Sequence, residues 1–341
     1  ENILMKLKIL LINLIIFTSA VPHARAQVGL KKVAQSTMNF LLVNVSPKAA
    51  AMGETFMAVG SGAESIFFNP AGAAELNSNF DVKMYMTQWI ADIQYMAGAA
   101  VWNGRNWGTV GLSALWVDYG DIYGTSLLSA GEQAQYPLGY KDNGTLSNVG
   151  SYAIGLTYAY AVSDRFLIGA NFRYVGQNLG ENMMGGTRVE NDAHKLVVDA
   201  GVKYYTGFKS FRFGMAIRNF SSNLKREEIS EPLPLLFTMG MAMDILDVLP
   251  IMDTETNSLT LAIDFLHPNN YTERINFGVD YTLWDVLSLR AGYQTNQDVA
   301  TWSGGLGIRT EIGKNHVDFG YSYSNFDIFD SVNRFSIGIR F

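Results

Sequence analysis

The chain ends in Val332-Asn333-Arg334-Phe335-Ser336-Ile337-Gly338-Ile339-Arg340-Phe341, a stretch in which apolar and polar side chains alternate without a break. Because successive side chains of a strand point to opposite faces, one face carries four apolar residues, which are Phe335, Ile337, Ile339 and Phe341. An apolar face that ends on an aromatic C-terminus is typical of the closing strand of an outer-membrane β-barrel, and we interpret these four residues as its assembly signal. A soluble edge strand could show the same alternation, so the rest of the chain decides.

Segments with one apolar face recur through the chain after Asn79. We count about fourteen, each long enough for a tilted transmembrane strand of about 9–11 residues. They lie near 80–89, 93–103, 108–119, 148–161, 165–178, 194–206, 210–219, 234–244, 258–267, 273–283, 286–296, 302–312, 315–325 and 332–341. The sequence therefore predicts an all-β fold, a transmembrane antiparallel barrel of about 14 strands over residues 80–341.

The faces opposite these apolar faces collect charges of both signs. In a barrel the apolar faces contact lipid, and the charges line the lumen as pairs. An antiparallel sandwich would instead expose the polar face to water and bury the other against a second sheet. Aromatic residues near strand ends, such as Trp102, Trp107 and Trp302, favour the barrel because its membrane interfaces are aromatic.

The first residues of the chain predict export. Two lysines precede the apolar run Ile9 to Ala20, and Ala24-Arg25-Ala26 then offers the small residues that a signal peptidase needs. We expect residues 1–26 to be a signal peptide and its apolar run to be too short to span a bilayer. With strands of barrel type, this predicts the bacterial outer membrane as the location.

Composition supports this class and excludes others. The chain has no cysteine, so an exported protein must hold together without disulfides, and a closed barrel does this by pairing every strand edge. Charged residues make up 16% of the chain, against about 25% in a typical soluble domain. The formal net charge of −6 disfavours nucleic acid as a partner.

The breaks between strands differ in length, as barrel loops do. Short connections such as Ser163-Asp164 and Gly313-Lys314 predict tight turns at the periplasmic end. Four longer breaks would then be extracellular, namely Gly120 to Ser147, Gly180 to Ala193, Ser221 to Leu233 and Leu246 to Asn257. Within the first of them, Tyr136-Pro137-Leu138-Gly139-Tyr140 could fold inward as a plug or outward as a docking surface for cargo or a partner.

Residues 27–79 have the composition of a compact plug inside a barrel. Small residues and turn formers surround two motifs, the first containing Pro47, Met52 and Gly53, and the second consisting of Asn69, Pro70, Ala71 and Gly72. Alanine and glycine permit close backbone approach, and the residue before a proline favours a turn. A disordered periplasmic tail is the alternative, and the apolar runs Phe40 to Val43 and Ile66 to Phe68 argue against it.

At these motifs the chain resembles the PorV/PorQ family, relatives of the FadL-type long-chain fatty-acid transporters. The resemblance lies in Pro47 followed by Ala49-Ala50-Ala51-Met52-Gly53, in Ala63 to Gly72, and in several strand motifs that extend it over nearly the whole mature chain. Those strand motifs are Leu233-Pro234, Leu289-Arg290-Ala291-Gly292-Tyr293, Gly304-Gly305-Leu306-Gly307 and Arg334-Phe335-Ser336. The Asn-Pro-Ala-Gly element also occurs in the fatty-acid transporters.

The resemblance implies a FadL-like, fourteen-stranded outer-membrane barrel of the type IX secretion system. PorV-like members bind the C-terminal signal domain of secreted cargo, cap the side opening of the SprA translocon barrel and deliver cargo to the cell surface. The expected partners are thus outer-membrane lipid, a SprA-like translocon barrel and secreted proteins with a C-terminal signal domain. A FadL-type transporter of hydrophobic small molecules is the alternative, although the chain is shorter than that pattern and has modest loops.

Catalysis is the third function class, and the residues disfavour it. The mature chain has three widely separated histidines, and no Gly-x-Ser-x-Gly elbow is present. No spacing of histidines and carboxylates indicates a metal site. We therefore expect no enzyme activity, no metal and no cofactor, and interpret Gly304-Gly305-Leu306-Gly307 as close packing within a strand.

Overall fold

The computed structural model describes residues 35–341 apart from short gaps at 129–130, 133–135, 137, 147–148, 185–186, 227–228, 250–252, 298–300 and 330. The predicted signal peptide, residues 1–26, and the first residues of the expected mature chain lie outside the described residues. Among the described residues, no helix has the length and apolar character needed to cross a bilayer.

Fourteen strands form one closed antiparallel barrel. In chain order they are β1 (Phe80–Gln88), β2 (Gln94–Asn103), β3 (Thr109–Asp118), β6 (Val149–Ser163), β7 (Phe166–Met184), β8 (Thr187–Tyr205), β9 (Arg212–Phe220), β12 (Leu236–Asp244), β13 (Ser258–Pro268), β14 (Arg274–Leu283), β15 (Leu287–Gln294), β16 (Trp302–Ile312), β17 (Asn315–Asn325) and β18 (Ser331–Arg340). Two short hairpins lie outside the barrel sheet, β4 (Tyr123–Leu127) with β5 (Tyr140–Thr145) and β10 (Leu224–Arg226) with β11 (Ile229–Glu231). The predicted fold class and strand number are confirmed.

The barrel closes where the first strand meets the last. β1 pairs with β18 in a register that sets Asp81 opposite Arg340 and Gln88 opposite Asn333. One step beyond, the backbone amide nitrogens of Phe80 and Phe341 each donate to the other residue's carbonyl oxygen, at 2.9 and 3.1 Å. Pairing at this seam removes the last open strand edges of the sheet. Unpaired backbone N–H and C=O groups on such an edge would be costly in lipid.

The apolar faces point outward, as the alternation predicts. Ile168, Leu289 and Ile337 are 39%, 40% and 47% exposed on the outer surface, where lipid lies in a membrane. Their neighbours Leu167, Arg290 and Gly338 turn inward and are more buried. This outer apolar belt and the closed strand pairing are those of a bacterial outer-membrane barrel.

The two ends of the barrel differ. The terminal end holds Phe80 and Phe341 together with the connections that follow β2, β6, β8, β12, β14 and β16, and the distal end holds the other connections. Most connections at the terminal end are short, such as 164–165 and 313–314, which assigns this end to the periplasm. The distal end therefore faces outward from the cell.

Two of the predicted extracellular loops are corrected by this topology. The connection between β12 and β13, which includes 246–257, lies at the terminal end because it follows an even number of barrel strands. Length alone had suggested the opposite side. Residues 180–193 are mostly strand, since β7 and β8 continue as a paired hairpin to Met184 and Thr187. The sequence did not predict this extension because its side chains are largely polar. Strands that pair beyond the membrane need no apolar face.

Candidate functional site in the barrel lumen

Residues 35–79, here called the N-terminal segment, fold as short turns held by local caps. The Ser46 hydroxyl oxygen accepts from the Ala49 amide at 3.1 Å, and Pro47 occupies the first turn of helix α1 (Pro47–Ala51). Proline at this position costs no hydrogen bond and presets the helical backbone. Three 3₁₀ turns, Asn39–Leu42, Gly62–Phe67 and Pro70–Glu75, make up most of the rest.

The N-terminal segment lies against the inner faces of strands around much of the barrel. Glycines on the wall make this possible, because an added methyl group at each of them would press on the segment. This glycine belt consists of Gly169, Gly201, Gly214, Gly240, Gly278, Gly292, Gly305 and Gly320, which face residues between Pro47 and Ala71. At Gly305, for example, a Cβ atom would lie 2.7 Å from the Cβ atom of Ala51. The glycines thus let two backbones meet almost directly.

The first predicted motif lies on this belt. Pro47 packs near Gly320, and Met52 is fully buried beside Gly278. Gly53 adopts φ 63°, a left-handed conformation that favours glycine, and it lies against the backbone of Gly292 and Tyr293. The position therefore requires glycine both for its backbone angle and for its close approach to the wall.

The second motif bonds the segment to itself and to the wall. The Asn69 side-chain nitrogen donates to the carbonyl oxygens of Met57 at 2.9 Å and of Val202 on β8 at 3.0 Å. Its side-chain oxygen accepts from the Ala71 amide at 3.2 Å, which caps the following turn. Pro70 packs on Gly169, while Ala71 and Gly72 are buried. An aspartate or leucine could not make both sets of bonds.

Ion pairs connect the N-terminal segment with inward charges of the wall. Lys83 on β1 lies 2.9 Å from the Asp318 carboxylate and 3.6 Å from that of Glu64. Lys48 lies 3.2 Å from the carboxylate of Asp280. Burial alone would raise the pKa of the Glu64 carboxyl, but attraction by Lys83 and Lys48 outweighs it and holds that pKa below its ordinary value. The predicted paired charges of the lumen therefore also hold the segment.

Several wall side chains bind the segment's backbone directly. Asp264 on β13 accepts from the amides of Phe56 and Met57 at 2.7 and 3.0 Å. Arg212 donates to the carbonyl oxygen of Ala58 at 2.8 Å, and Arg334 donates to that of Asn44 at 2.8 Å. Strand alternation predicts that these charged side chains face inward, but it does not predict which backbone atoms they bind.

The distal half of the lumen is apolar on the side formed by β1 to β8. Inward side chains such as Tyr95, Leu115, Val117 and Val175 form one buried cluster with Met38, Phe40, Leu41 and Val45 of the N-terminal segment. The sequence had predicted paired charges of both signs in the lumen and gave no indication of this apolar region. The ion pairs described above lie mainly nearer the terminal end. In the distal half, residues 38–45 therefore pack directly against a hydrophobic part of the wall.

The predicted docking tract lies at the distal end. Tyr136 and Gly139 form a turn through a 3.0 Å backbone hydrogen bond, and Tyr140 begins β5. Leu138 is 77% exposed, so the part of the tract that the structure describes does not fold into the lumen. Pro137 lies outside the described residues.

Three of the predicted assembly residues lie on the outer face of β18, and the fourth, Phe341, directly follows the strand. Phe335, Ile337 and Phe341 are exposed and Ile339 is half-buried. The ring of Phe341 stacks on that of Phe80, with centroids 5.2 Å apart. Within the described residues, no three histidine or carboxylate side chains are grouped in a way that could hold a metal ion.

Comparison with known proteins identifies the fold. No family model matches the chain, and no curated protein matches it. The toluene transporter TbuX of Ralstonia pickettii is 16% identical with a TM-score of 0.54, over 89% of this chain and 100% of that chain. The toluene transporter TodX of Pseudomonas putida is 12% identical with a TM-score of 0.53, over 87% and 97% of the two chains. A FadL homologue of Pseudomonas aeruginosa is 12% identical with a TM-score of 0.51, over 87% and 98%. At these identities the likeness shows a FadL-like outer-membrane barrel fold.

Proposed function

We propose that the protein is an outer-membrane channel for small hydrophobic molecules and that the N-terminal segment is its gate. The observation that carries this proposal is the apolar cluster in the distal half of the lumen. A general porin has a polar, water-filled interior, whereas a path for hydrophobic molecules needs apolar walls. Displacing residues 38–45 would uncover such a wall on the side that faces outward from the cell.

The fold neighbours support the same proposal. TbuX and TodX are toluene transporters, and both match this chain over most of its length. The gate role rests on the bonds described above, which tie the N-terminal segment to the wall by side chains and close backbone contacts. Such contacts can break and re-form without unfolding the barrel, because none of them belongs to the strand ladder.

A reversible covalent lock tests the gate. A Cβ atom at Gly320 would lie 3.8 Å from that of Pro47, the separation typical of a disulfide, and the chain has no other cysteine. Oxidised Pro47→Cys/Gly320→Cys protein should lose uptake of labelled toluene, and a reducing agent should restore it. Each single cysteine variant is the control and should be insensitive to oxidation. Undiminished uptake by the fully crosslinked protein would contradict gating by this segment.

A cargo-binding role in type IX secretion is the second candidate. The resemblance of the Pro47 and Asn69 motifs to the PorV/PorQ family supports it, and so does the exposed β4–β5 hairpin with Leu138 at its turn. Exposed apolar and tyrosine side chains on a rigid scaffold suit recognition of a protein partner. Purification in mild detergent tests it. A SprA-like barrel and secreted proteins with a C-terminal signal domain should copurify, and their absence alongside normal toluene uptake would reject this candidate.

A further inference from the structure

The contact between the N-terminal segment and the wall has a gap on one side. A cavity of about 10 Å³ lies between the segment and strands β9, β12 and β13. Its apolar lining comes from Leu42, Met57, Phe68 and Leu266. Met57 and Phe68 belong to a buried cluster with Phe56 and Ala216, whereas Leu42 follows Leu41 of the distal cluster. The cavity therefore lies between two apolar regions of the lumen.

Polar atoms at this cavity lack partners. The Asn44 side-chain nitrogen, the Arg218 Nε and the Thr238 hydroxyl are buried, and none has a hydrogen-bond partner among the described residues. All three residues line the cavity. An unsatisfied buried polar group costs about 1–3 kcal/mol, so this arrangement favours an occupant that accepts hydrogen bonds. The volume matches about one water molecule, which needs roughly 10–15 Å³.

The chemistry of the lining limits the occupant further. Two of the unpartnered groups can only donate, so the occupant must present an acceptor oxygen. Glu54 and Arg218 both line the cavity, and their opposite charges offset each other, so the lining favours neither an anion nor a cation. An uncharged oxygen on an otherwise apolar molecule, such as a phenol, alcohol or ketone, satisfies both conditions.

We propose that this cavity is a binding subsite on the path of the transported molecule, where an uncharged acceptor oxygen meets the unpartnered donors. The inference rests on the proposed channel function and adds a place and a chemical class to it. The subsite lies one inward residue beyond the glycine belt, since Thr238 precedes Gly240 on β12. Arg218 donates to the Phe67 carbonyl oxygen at 2.8 Å beside this cavity, but the Thr238 hydroxyl makes no bond to the segment, so we expect wall and segment to separate more easily at Thr238 than at wall residues that are bonded to the segment.

A matched pair of wall residues tests the place. Ser303 also lies one inward residue beyond a belt glycine, Gly305, but its hydroxyl donates to the carbonyl oxygen of Ala51 at 3.2 Å. Thr238 and Ser303 are 2% and 6% exposed, so static burial does not separate them. In purified full-length protein, Thr238→Cys should react with N-ethylmaleimide about tenfold faster than Ser303→Cys, because labelling of a buried thiol follows local opening. Leu266→Cys, which lines the same cavity, should behave as Thr238→Cys does.

Three molecules of similar shape test the chemical class. p-Cresol should slow labelling of Thr238→Cys, whereas p-xylene lacks the oxygen and p-toluate carries a charge, so both should protect less. Labelling of Ser303→Cys that is as fast as that of Thr238→Cys, or faster, would overturn the proposed position of the subsite. Protection by p-xylene or p-toluate equal to that by p-cresol would overturn the proposed chemical class of the ligand. Labelling does not depend on transport. A channel with normal toluene uptake but no fast labelling would disprove the subsite alone, and fast labelling without uptake would disprove the channel function.

Discussion

At the scale of single residues, glycine on the inner wall decides how closely the N-terminal segment can approach. The chain contains 33 glycines, and eight of those on the barrel strands form the belt. Outward glycines such as Gly304 have no comparable contact, since the nearest atom to a Cβ there would be the Arg290 carbonyl oxygen at 3.6 Å. The same residue type therefore has different consequences on the two faces of one sheet.

Gly292→Ala should loosen the N-terminal segment while the barrel still assembles. Its methyl group would overlap the backbone of Gly53, and overpacking of this kind costs about 1–3 kcal/mol. Limited proteolysis within residues 35–79 should become faster in this variant. Gly304→Ala on the neighbouring strand is the control and should match the parent protein. Equal rates of proteolysis for the two variants would contradict the role of the glycine belt in holding the N-terminal segment.

Asp264 should be the wall carboxylate on which the segment depends most directly. Asp264→Ala removes the acceptor for two buried amides, and each amide left without a partner costs about 1–3 kcal/mol. The segment should again be cleaved faster by protease. Asp264→Asn keeps one acceptor oxygen and should show an intermediate rate. If the alanine variant resists proteolysis as the parent does, these bonds do not hold the segment.

At the scale of elements, β18 completes the barrel at the seam with β1. Phe341 contributes two backbone hydrogen bonds beyond the regular register and a ring stacked on Phe80. The alternation that is visible in its sequence gives this strand a lipid face, and pairing with both β1 and β17 gives it a place in the sheet.

Deleting Phe341 should impair assembly more than Phe341→Ala does. The deletion removes ring and backbone bonds together, whereas alanine keeps the bonds and loses only the stacked ring. The measurement is the heat-modifiable gel shift of protein recovered from outer membranes. A truncated protein that reaches normal levels with a normal shift would show that the seam does not need this residue.

Arginine substitutions should distinguish the two faces of the wall. Leu289→Arg places a charge in lipid, which costs up to about 2–4 kcal/mol at the bilayer midplane and less near the interface, whereas Ser288→Arg at the adjacent inward position should cost less than Leu289→Arg. Gly169→Arg is inward too, but Pro70 of the N-terminal segment already occupies that space, so this variant should be destabilised by overpacking. Unfolding by urea in lipid vesicles gives the three free energies. Equal costs at Leu289 and Ser288 would contradict the facing assignment.

At the scale of the whole molecule, two functions make different demands on the same scaffold. A channel depends on movement of the N-terminal segment away from the apolar distal wall. A secretion component depends on the exposed distal loops, with the lumen kept closed. The barrel fold suits either function, so the two functions are distinguished by the regions in which substitutions abolish activity.

Replacing residues 136–140 by a glycine and serine stretch should leave toluene uptake unchanged, because the described part of this tract lies outside the lumen. The same variant should abolish export of proteins with the C-terminal signal domain if the protein serves type IX secretion. Export and uptake are measured side by side in a null strain that carries either the variant or the parent protein. Lost uptake with normal export would reject our placement of the path beneath the segment.

The sequence by itself determined the barrel, because alternation along each strand is a local property that one-sided burial imposes. It predicted the strand number and the lipid face, and for Gly304-Gly305-Leu306-Gly307 it predicted close packing, which Gly305 shows against Ala51. The length of a loop did not determine the side of the membrane on which it lies, as the misplaced connection 246–257 shows. That side depends on whether an even or odd number of barrel strands precedes the loop. Polar residues 180–193 were expected to form a loop, although β7 and β8 pair through most of them.

Only the tertiary structure decided what faces what inside the lumen. The partners of Asp264 are separated from it by 208 and 207 positions, and no local pattern encodes so distant a meeting. The apolar distal wall was hidden because inward residues are polar near one end of the barrel and apolar near the other, and a strand's sequence does not reveal its neighbours across the lumen. The cavity at Thr238 arises where three strands and the N-terminal segment fail to close. It is a property of packing, which depends on shapes that only the assembled barrel brings together.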